Sequence, residues 1–253
     1  MAARRAIFVA PFGELSDAGR LARLAAETEA AGWDGFFLWD HVDYSAPVTH
    51  LADPWIAMAA IACATERVRI GPLVTPTPRR RVHKLARETA TLDRLSGGRL
   101  VLGVGIGNDH HGEFEPFGDL DDARERARRL DADLDRLVEL WAGEFQPTPQ
   151  QQPRIPVWVA ARWPNRRPLR RAARWDGVFP IDLPGPDELA ELAAAVHELR
   201  AGDARPFDLV VTNPAGTDPA SWEAAGATWC LTGFGNSPTE AEVRAAIEAG
   251  PGG

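Results

Sequence analysis

The chain has 253 residues, 45% of them hydrophobic and 25% charged, and this composition predicts a folded globular protein rather than a disordered one. A formal net charge of −8 argues against nucleic acid as a partner, because phosphate backbones are bound by basic surfaces. No apolar run reaches the roughly 18 residues that a membrane helix needs, and the N-terminal Met-Ala-Ala-Arg-Arg lacks an apolar signal core. We therefore expect a cytoplasmic protein with no membrane partner. Cys63 and Cys230 stand in no disulfide or metal-ligand pattern and are expected to be buried.

Short apolar runs of strand length alternate with amphipathic helical runs along the whole chain, as in parallel α/β proteins. Eight runs are predicted as strands buried on both faces: Ala6–Phe12, Gly35–Asp40, Val68–Thr75, Arg99–Ile106, Ile155–Ala161, Gly177–Ile181, Phe207–Thr212 and Thr228–Leu231. Eight repeats favour a closed (β/α)8 TIM barrel over an open doubly wound sheet, which more often has about five to seven strands. We expect residues 1–253 to form this one domain.

Capping residues and glycines mark the ends of the predicted helices. Ser16 is predicted to cap the first helix and Gly32 to end it. Ser237 is predicted to cap the last helix in a capping box with Glu240, with Pro238 at the first helical position. The third helix carries an apolar stripe of Val82, Leu85, Ala86, Thr89, Leu92 and Leu95. The fourth helix is predicted to be the longest, and its apolar stripe consists of Leu130, Leu134, Leu137, Val138 and Trp141. Residues 143–154, rich in proline and glutamine, are predicted to form a loop, and residues 250–253 to fray.

Polar residues after strands two and four are the candidate catalytic residues, because catalytic groups of such barrels gather where strands end. Asp40 and His41 follow strand two; His41 titrates near neutral pH, and Asp40 can orient a partner or hold charge. Adjacent strand residues point to opposite sides, so we expect one of the pair to face the barrel mouth. The alternative is a His41 bonded within its own loop. Glu113 is expected to act as a general acid or a hydrogen-bond anchor if a pocket raises its pKa, and the alternative is a solvated loop carboxylate.

Glycines alternate along strand four at Gly103, Gly105 and Gly107. Their spacing is not G-x-G-x-x-G and no helix follows at once, so we do not predict a dinucleotide site. Glycine at alternate strand positions lets either a flat ring or a neighbouring backbone approach closely. A flavin-like ring is one interpretation, and tight barrel packing is the other.

Positive charge is concentrated after strand five, where five arginines lie within residues 162–171 at the start of a helix. Together with the unpaired N–H groups of a helix N-terminus, this charge indicates a phosphate site, with Arg162 and Asn165 as the best candidates. The alternative for Arg170, Arg171 and Arg174 is that they only line the outer face of the helix.

Residues 87–107 read R-E-T-A-T-L-D-R-L-S-G-G-R-L-V-L-G-V-G-I-G, and this stretch resembles the central signature of the luciferase-like monooxygenase superfamily. Residues 31–35, 39–41, 113–118 and 172–178 support the resemblance, which covers nearly the whole chain. It implies a barrel that binds reduced FMN or the 5-deazaflavin F420, with the ring over the strand ends and the phosphate near the loop after strand five. In deazaflavin-using relatives a non-proline cis peptide ends strand three, and its counterpart here is Leu73–Val74.

The residues expected to bind this cofactor follow from the resemblance and from the two segments above. They are Leu73, Val74, Thr75, Gly105, Gly107, Asn108, Ala161, Arg162, Asn165 and Arg166. Two features depart from the family pattern. The insertions between strands four and five are shorter than family members commonly carry, and Ala160-Ala161-Arg162-Trp163 replaces the glycine-rich turn common after strand five.

The favoured hypothesis is an F420-dependent oxidoreductase that transfers a hydride to or from a small organic substrate, with His41 or Glu113 handling the proton and Asp40 near the ring. An FMN-dependent monooxygenase is the alternative with the same pocket. A metal-dependent barrel hydrolase would use His41, Asp109, His110 and His111 as ligands, although strand one offers no His-x-His pair, and we predict no metal. A barrel that binds a ligand without catalysis is a third class. The family resemblance leads us to expect a homodimer.

Overall fold

The computed structural model describes residues 2–252, and its centre is one sheet of nine parallel strand segments. These are β1 (Arg4–Val9), β2 (Gly35–Leu38), β3 (Arg69–Pro72), β4 (Thr75–Pro76), β5 (Leu102–Gly105), β6 (Val157–Ala161), β7 (Gly177–Pro180), β8 (Asp208–Pro214) and β9 (Trp229–Gly233). Their order is β3-β2-β1-β9-β8-β7-β6-β5-β4, and β3 reaches β5 where the Val101 amide donates to the Ile70 carbonyl (2.9 Å). The sheet closes on itself, so the predicted (β/α)8 TIM barrel is confirmed.

Eight helices alternate with the strands in the described part of the chain: α1 (Ala18–Ala30), α2 (Pro54–Ala64), α3 (Val82–Leu95), α4 (Ala123–Glu139), α5 (Arg166–Ala172), α6 (Pro186–Leu199), α7 (Ala220–Ala224) and α8 (Glu240–Ala249). With 17 residues, α4 is the longest of them, as predicted. A helical turn at Leu140–Glu144 extends α4, so the predicted loop begins a little later than residue 143. Between residues 2 and 252, every helix is too short or too polar to cross a membrane.

Side chains of the strands alternate between the inside of the barrel and the surrounding helices, which explains why the strands are apolar throughout. In β1, Ala6 and Phe8 face the interior, whereas Ile7 and Val9 pack against the helices. The interior cluster contains Ala6, Phe8, Phe37, Leu73, Val101, Trp158, Phe179, Val210, Trp229 and Leu231. The centre of the barrel is therefore filled by side chains, and a ligand is accommodated at an end.

Predicted strand three is divided in the structure into β3 and β4. The Leu73–Val74 peptide bond between them is cis, as the resemblance implies. Glycines of β5 make room for this segment: a Cβ at Gly103 would lie 2.2 Å from the Pro72 carbonyl oxygen, and a Cβ at Gly105 would lie 2.8 Å from Val74 Cγ2. Of the two interpretations of these glycines, close packing is the one observed at Gly103 and Gly105.

Predicted strand four begins at Leu102 rather than Arg99, because the Arg99 side chain serves the end of α2. Arg99 is 8% exposed, and its guanidinium donates to the carbonyl oxygens of Ala62, Thr65 and Val68 at 2.8 to 3.0 Å. These include carbonyl groups that the last turn of a helix leaves without intrahelical partners. A buried arginine thus caps α2 from a neighbouring segment.

The cap predicted for the first helix is wrong by one residue. Asp17 caps α1 by accepting a hydrogen bond from the Arg20 amide (2.6 Å). Ser16 belongs instead to the preceding turn, in which its hydroxyl donates to the Gly13 carbonyl (2.7 Å). Gly32 has the predicted left-handed conformation after the helix, with φ +87°.

At the last helix the predicted capping box is displaced by two residues. Thr239 and Glu242 form it, and Pro238 precedes the cap instead of opening the helix. Cys63 is exposed at the end of α2 and not buried as expected, whereas Cys230 is buried. Leu95, assigned to the inner stripe of α3, is 48% exposed because it lies in the last turn, at the surface. Gly253, in the tail predicted to fray, lies outside the described residues.

Candidate active site at the barrel mouth

Asp40 is a buried carboxylate just beyond the end of β2. It accepts hydrogen bonds from Thr75 Oγ1 (2.6 Å) and Trp55 Nε1 (3.0 Å). The guanidinium groups of Arg79 and Arg80 also donate to it, at 2.9 and 3.0 Å. Burial raises the pKa of Asp40, but the charges of Arg80 and Arg79 and the two hydrogen bonds outweigh burial and hold the pKa below its ordinary value. Asp40 is therefore an anion that positions two arginines.

Glu113 is a second buried carboxylate, and it holds His41. Glu113 Oε2 lies 2.9 Å from His41 Nδ1, and Oε1 accepts from the Val42 amide (2.9 Å) and from Arg79 (2.5 Å). Burial raises the pKa of Glu113, whereas His41, Arg79 and the Val42 amide lower it, and the net shift is downward. The condition set for a general acid, a raised pKa, is not met, because Arg79 and the hydrogen bonds from His41 and Val42 outweigh burial. Glu113 is also not solvated, since it is 3% exposed, and the structure gives it the anchoring role.

Arg79 joins the two carboxylates into one network. Its Nη2 lies 2.9 Å from Asp40 Oδ1 and its Nη1 lies 2.5 Å from Glu113 Oε1, and its side chain is 7% exposed. Because β2 ends at Leu38, strand alternation does not apply to Asp40 and His41, and both join the same network instead of facing opposite sides. We use the name Arg79 network for Asp40, His41, Thr75, Arg79, Arg80 and Glu113.

Aromatic rings surround His41 on the side away from Glu113. The His41 ring lies 4.9 Å from the Tyr44 ring, 5.8 Å from the Trp39 ring and 6.0 Å from the His111 ring, centroid to centroid. Tyr44 and His111 stack on each other at 3.8 Å. His41 therefore reaches beyond its own loop to Glu113, and it stands in an environment that excludes much of the water.

Three half-buried side chains follow the ends of β2, β3 and β7 and form an apolar floor at the mouth of the barrel. They are Trp39, Val74 and Ile181, and they pack against the interior cluster. The Trp39 ring lies beside that of His41, so the floor borders the Arg79 network. Apolar side chains next to a histidine–carboxylate pair can contact a planar ring, and the pair can exchange a proton with a bound molecule.

The cofactor residues predicted around β3 to β5 lie at this end of the barrel. Thr75 is buried and its hydroxyl is used by Asp40. Gly107 has φ +69°, and a Cβ there would lie 2.6 Å from the Phe114 ring, so the chain turns in a place where only glycine fits. The side-chain oxygen of Asn108 accepts from the His110 amide (3.0 Å) and so orders the loop.

The predicted phosphate residues after β6 form a separate group. Ala161 ends β6, and Arg162 pairs with Asp182, both side chains being largely exposed. Asn165 caps α5 by accepting from the Arg167 amide (3.2 Å), and Arg166 lies over the Trp163 ring. The residues predicted to bind the ring and those predicted to bind the phosphate come close at Gly105 and Ala160. A Cβ added at Gly105 would lie 3.4 Å from the Cβ of Ala160.

Two arginines of this cluster, Arg171 in α5 and Arg174 just after it, serve packing between helices. Arg171 pairs with Asp131 and Arg174 with Asp135, both on α4. These two arginines therefore contact a neighbouring helix instead of only lining the outer face of their own.

The ligand set of the metal hypothesis does not converge. Asp109 accepts from the backbone amides of Phe114 (2.7 Å) and Glu115 (3.2 Å), so its carboxylate closes its own loop. His111 Nδ1 lies 2.9 Å from Ser45 Oγ. Across residues 2–252, no three acidic, histidine or cysteine side chains come together as metal ligands would.

Sequence reasoning missed the arginines on which the network depends. Arg79, Arg80 and Arg81 form a run that begins four residues after Thr75, the last residue of predicted strand three. Asp40 is predicted to lie at the end of the neighbouring buried strand, and a buried carboxylate needs a cationic partner. This run contains the arginines that come next to that strand end in the order of the barrel strands. A buried carboxylate at one strand end and a run of arginines near another were therefore the features of the sequence from which the ion pairs could have been predicted.

The family model for luciferase-like monooxygenases matches residues 7–246. The chain belongs to the luciferase-like monooxygenase family. The oxygenase component of a flavin-dependent trigonelline monooxygenase from Acinetobacter baylyi is 31% identical over 142 residues, which cover 51% of this chain and 39% of that relative. An F420-dependent glucose-6-phosphate dehydrogenase from Microbacterium testaceum is 39% identical over 138 residues, which cover 52% of this chain and 38% of that relative. The aligned part spans about two fifths of the length of these relatives.

A solved structure supports the fold. An F420-dependent secondary alcohol dehydrogenase in complex with an F420-acetone adduct has a TM-score of 0.81 and 15% identity to this chain, covering 98% of this chain and 97% of its own. At that identity the similarity shows the luciferase-like barrel. The chain thus belongs to a family whose named relatives include flavin-dependent and F420-dependent oxidoreductases.

Proposed function

We propose that this chain is an F420-dependent oxidoreductase that moves a hydride between the deazaflavin and a small organic substrate. The observation that carries the proposal is the His41–Glu113 pair, with 2.9 Å between Nδ1 and Oε2, at the border of the apolar floor. Hydride transfer to a carbonyl carbon requires a proton for the oxygen, and hydride transfer from an alcohol carbon requires that the hydroxyl lose one; this pair can supply or accept that proton. The similarity to F420-dependent glucose-6-phosphate dehydrogenases supports the choice of cofactor.

The residues at the mouth fit a planar ring with a charged tail. Trp39, Val74 and Ile181 offer an apolar surface beside the His41–Glu113 pair. The ring would be held by Leu73, Val74, Thr75, Gly105, Gly107 and Asn108, and the phosphate by Ala161, Arg162, Asn165 and Arg166. Releasing Arg162 from Asp182 costs at most about 1 kcal/mol, because the pair is exposed. When bound, F420 supplies hydride chemistry at C5 of its ring.

His41 handles the proton in this proposal. Glu113 is ionised, so it accepts a hydrogen bond from Nδ1–H of His41 and directs Nε2 to the substrate. The Nε2 atom makes no hydrogen bond within residues 2–252 and is free to take or give the proton. Arg79 keeps Glu113 in place.

Anaerobic titration of the purified chain with F420 and with FMN, followed by the fluorescence of each ring, tests the cofactor. Saturable binding of F420 that is tighter than that of FMN is the expected result. Turnover with small alcohols and ketones then tests the residue. His41→Gln is expected to leave F420 binding unchanged and to lower kcat by about 10² to 10⁴-fold, whereas His197→Gln, at an exposed position on α6, keeps both.

An FMN-dependent monooxygenase is the second candidate, and the flavin-dependent trigonelline monooxygenase among the relatives favours it. Tight binding of FMN without binding of F420 would support this candidate over the first. A chain that binds neither ring contradicts both. Full activity of His41→Gln with either cofactor removes the proton role from His41.

A further inference from the structure

A cavity of about 400 Å³ lies next to the Arg79 network, between the segment Pro78–Arg81, the loop Gly118–Leu120 and α4. Four of the residues that line it are arginines, namely Arg79, Arg80, Arg81 and Arg129, and Asp119 is the acidic residue of the lining. Its volume lies within the range of about 300 to 1,000 Å³ that small-ligand sites occupy. In a chain with a net charge of −8, this cavity is a local concentration of positive charge.

Part of this charge is not neutralised by the protein. Arg81 is exposed and forms no ion pair with any residue from 2 to 252. Arg80 Nε is buried and has no hydrogen-bond partner. Arg129 contacts Asp133 through Nε (3.0 Å) while its side chain stays 44% exposed, so its terminal amino groups remain accessible. The cavity therefore offers several N–H donors with positive charge and few acceptors, which is the donor set that binds oxyanions.

The start of α3 adds to this field. The helix begins at Val82, directly after Arg81, and no side chain caps its N-terminus. The first amide groups of a helix point out of it and carry partial positive charge. An anion between the arginines would thus meet backbone donors as well as guanidinium groups.

The cavity is connected to the proton-handling pair through one side chain. Arg79 lines the cavity, and the same guanidinium holds Glu113, whose other oxygen holds His41. An oxyanion in the cavity therefore lies two residues from the imidazole in the chain of contacts Arg79, Glu113, His41. His41, Glu113 and the residues of the apolar floor do not line the cavity, so a molecule anchored there by its charged end has to extend past Arg79 to reach them.

We propose that this cavity binds an oxyanion, and that the oxyanion is the carboxylate or phosphate group of the substrate. The substrate is thus a small organic anion whose charged end lies among Arg79, Arg80, Arg81 and Arg129, while its reacting carbon is directed to the apolar floor. Oxyanion binding stands independently of the cofactor, whereas its assignment to the substrate rests on the proposed function.

Calorimetric titration of the protein with inorganic phosphate, without added cofactor, tests the site. Saturable binding is expected, and Arg81→Gln is expected to weaken the binding at this cavity about tenfold by removing one charge-assisted contact. Arg81→Lys keeps the charge and is expected to restore most of the affinity. Arg128→Gln, on the exposed side of α4, is the matched control and is expected to bind like the unchanged protein. Absence of saturable binding, or equal weakening in Arg128→Gln, overturns the site.

Kinetics with the loaded enzyme distinguish the two sources of the oxyanion. If it belongs to the substrate, phosphate competes with carboxylate-bearing substrates, and Arg81→Gln raises their KM with kcat nearly unchanged. If phosphate instead changes kcat on uncharged substrates without competing, the assignment to the substrate is wrong and a free anion occupies the cavity. Phosphate binding in a chain that does not bind F420 would contradict the proposed function alone. F420 binding without phosphate binding would contradict only the proposal that the cavity binds an oxyanion.

Discussion

Replacing Arg79 by glutamine is expected to lower the free energy of unfolding by about 3 kcal/mol at neutral pH. The Arg79 side chain is 7% exposed and is paired with Asp40 (2.9 Å) and Glu113 (2.5 Å). Removing one partner of a buried ion pair costs about 3 to 5 kcal/mol, because the other charge is left uncompensated. The lower end applies here, since Asp40 keeps Arg80 and Glu113 keeps His41.

The dependence of this loss on pH follows from the two carboxyl groups. In the folded protein their pKa values lie below the ordinary 3.8 for Asp40 and 4.5 for Glu113, so their stabilisation is fully present above about pH 4.5. It is lost as the pH falls through the folded pKa values, because the protonated carboxyls no longer need a cation. The difference between Arg79→Gln and the unchanged protein is therefore largest at neutral pH and narrows in acid.

Urea denaturation at a series of pH values from neutral to well below 3.8, the ordinary pKa of an aspartate, measures this effect. Arg128→Gln removes an exposed arginine that pairs only with Glu125, and it is expected to change the free energy of unfolding by less than about 0.5 kcal/mol. A loss below about 1 kcal/mol for Arg79→Gln, or a loss of the same size at every pH, would refute the reasoning.

Three further substitutions test how the barrel is held together. Arg99→Met leaves carbonyl groups at the end of α2 without donors and should cost about 3 to 5 kcal/mol in urea denaturation; a cost near zero would mean that water replaces the guanidinium. Gly107→Ala should lower the free energy of unfolding by about 1 to 3 kcal/mol more than Gly202→Ala. Both glycines have positive φ, but of the two only Gly107 faces a ring, that of Phe114, so equal losses would contradict this contact. Thr239→Ala should lower the free energy of unfolding by about 1 kcal/mol, because Thr239 caps α8, and Ser237→Ala should lower it by much less. The reverse order would mean that Ser237 is the cap.

The architecture of the barrel was predictable because each element carries a local signal. Apolar runs of strand length predict strands covered on both faces, and the stripe of α3 or α4 predicts which helix face meets them. The ends of elements were less predictable. At the start of α1, Ser16 and Asp17 both suit a cap, and the choice depends on the turn at Gly13, which uses the Ser16 hydroxyl.

The candidate site was predictable in its position and not in its chemistry. Asp40, His41 and Glu113 stand after strand ends, so the sequence indicates that they lie at the mouth. Whether Glu113 is an acid or an anchor depends on what packs against it. The structure places Arg79 and His41 there, and their charges reverse the effect of burial on the pKa of Glu113.

By itself, the sequence determined the barrel, the family and the end of the barrel where reacting groups gather, because these depend on periodicity and on short motifs. Only the tertiary structure decided which groups are ionised and which residues hold them. Arg79 meets Asp40 across 39 positions of sequence and Glu113 across 34, and such contacts have no local signal. Their energies depend on burial and on distances of about 3 Å, which exist only after the strands have closed the barrel.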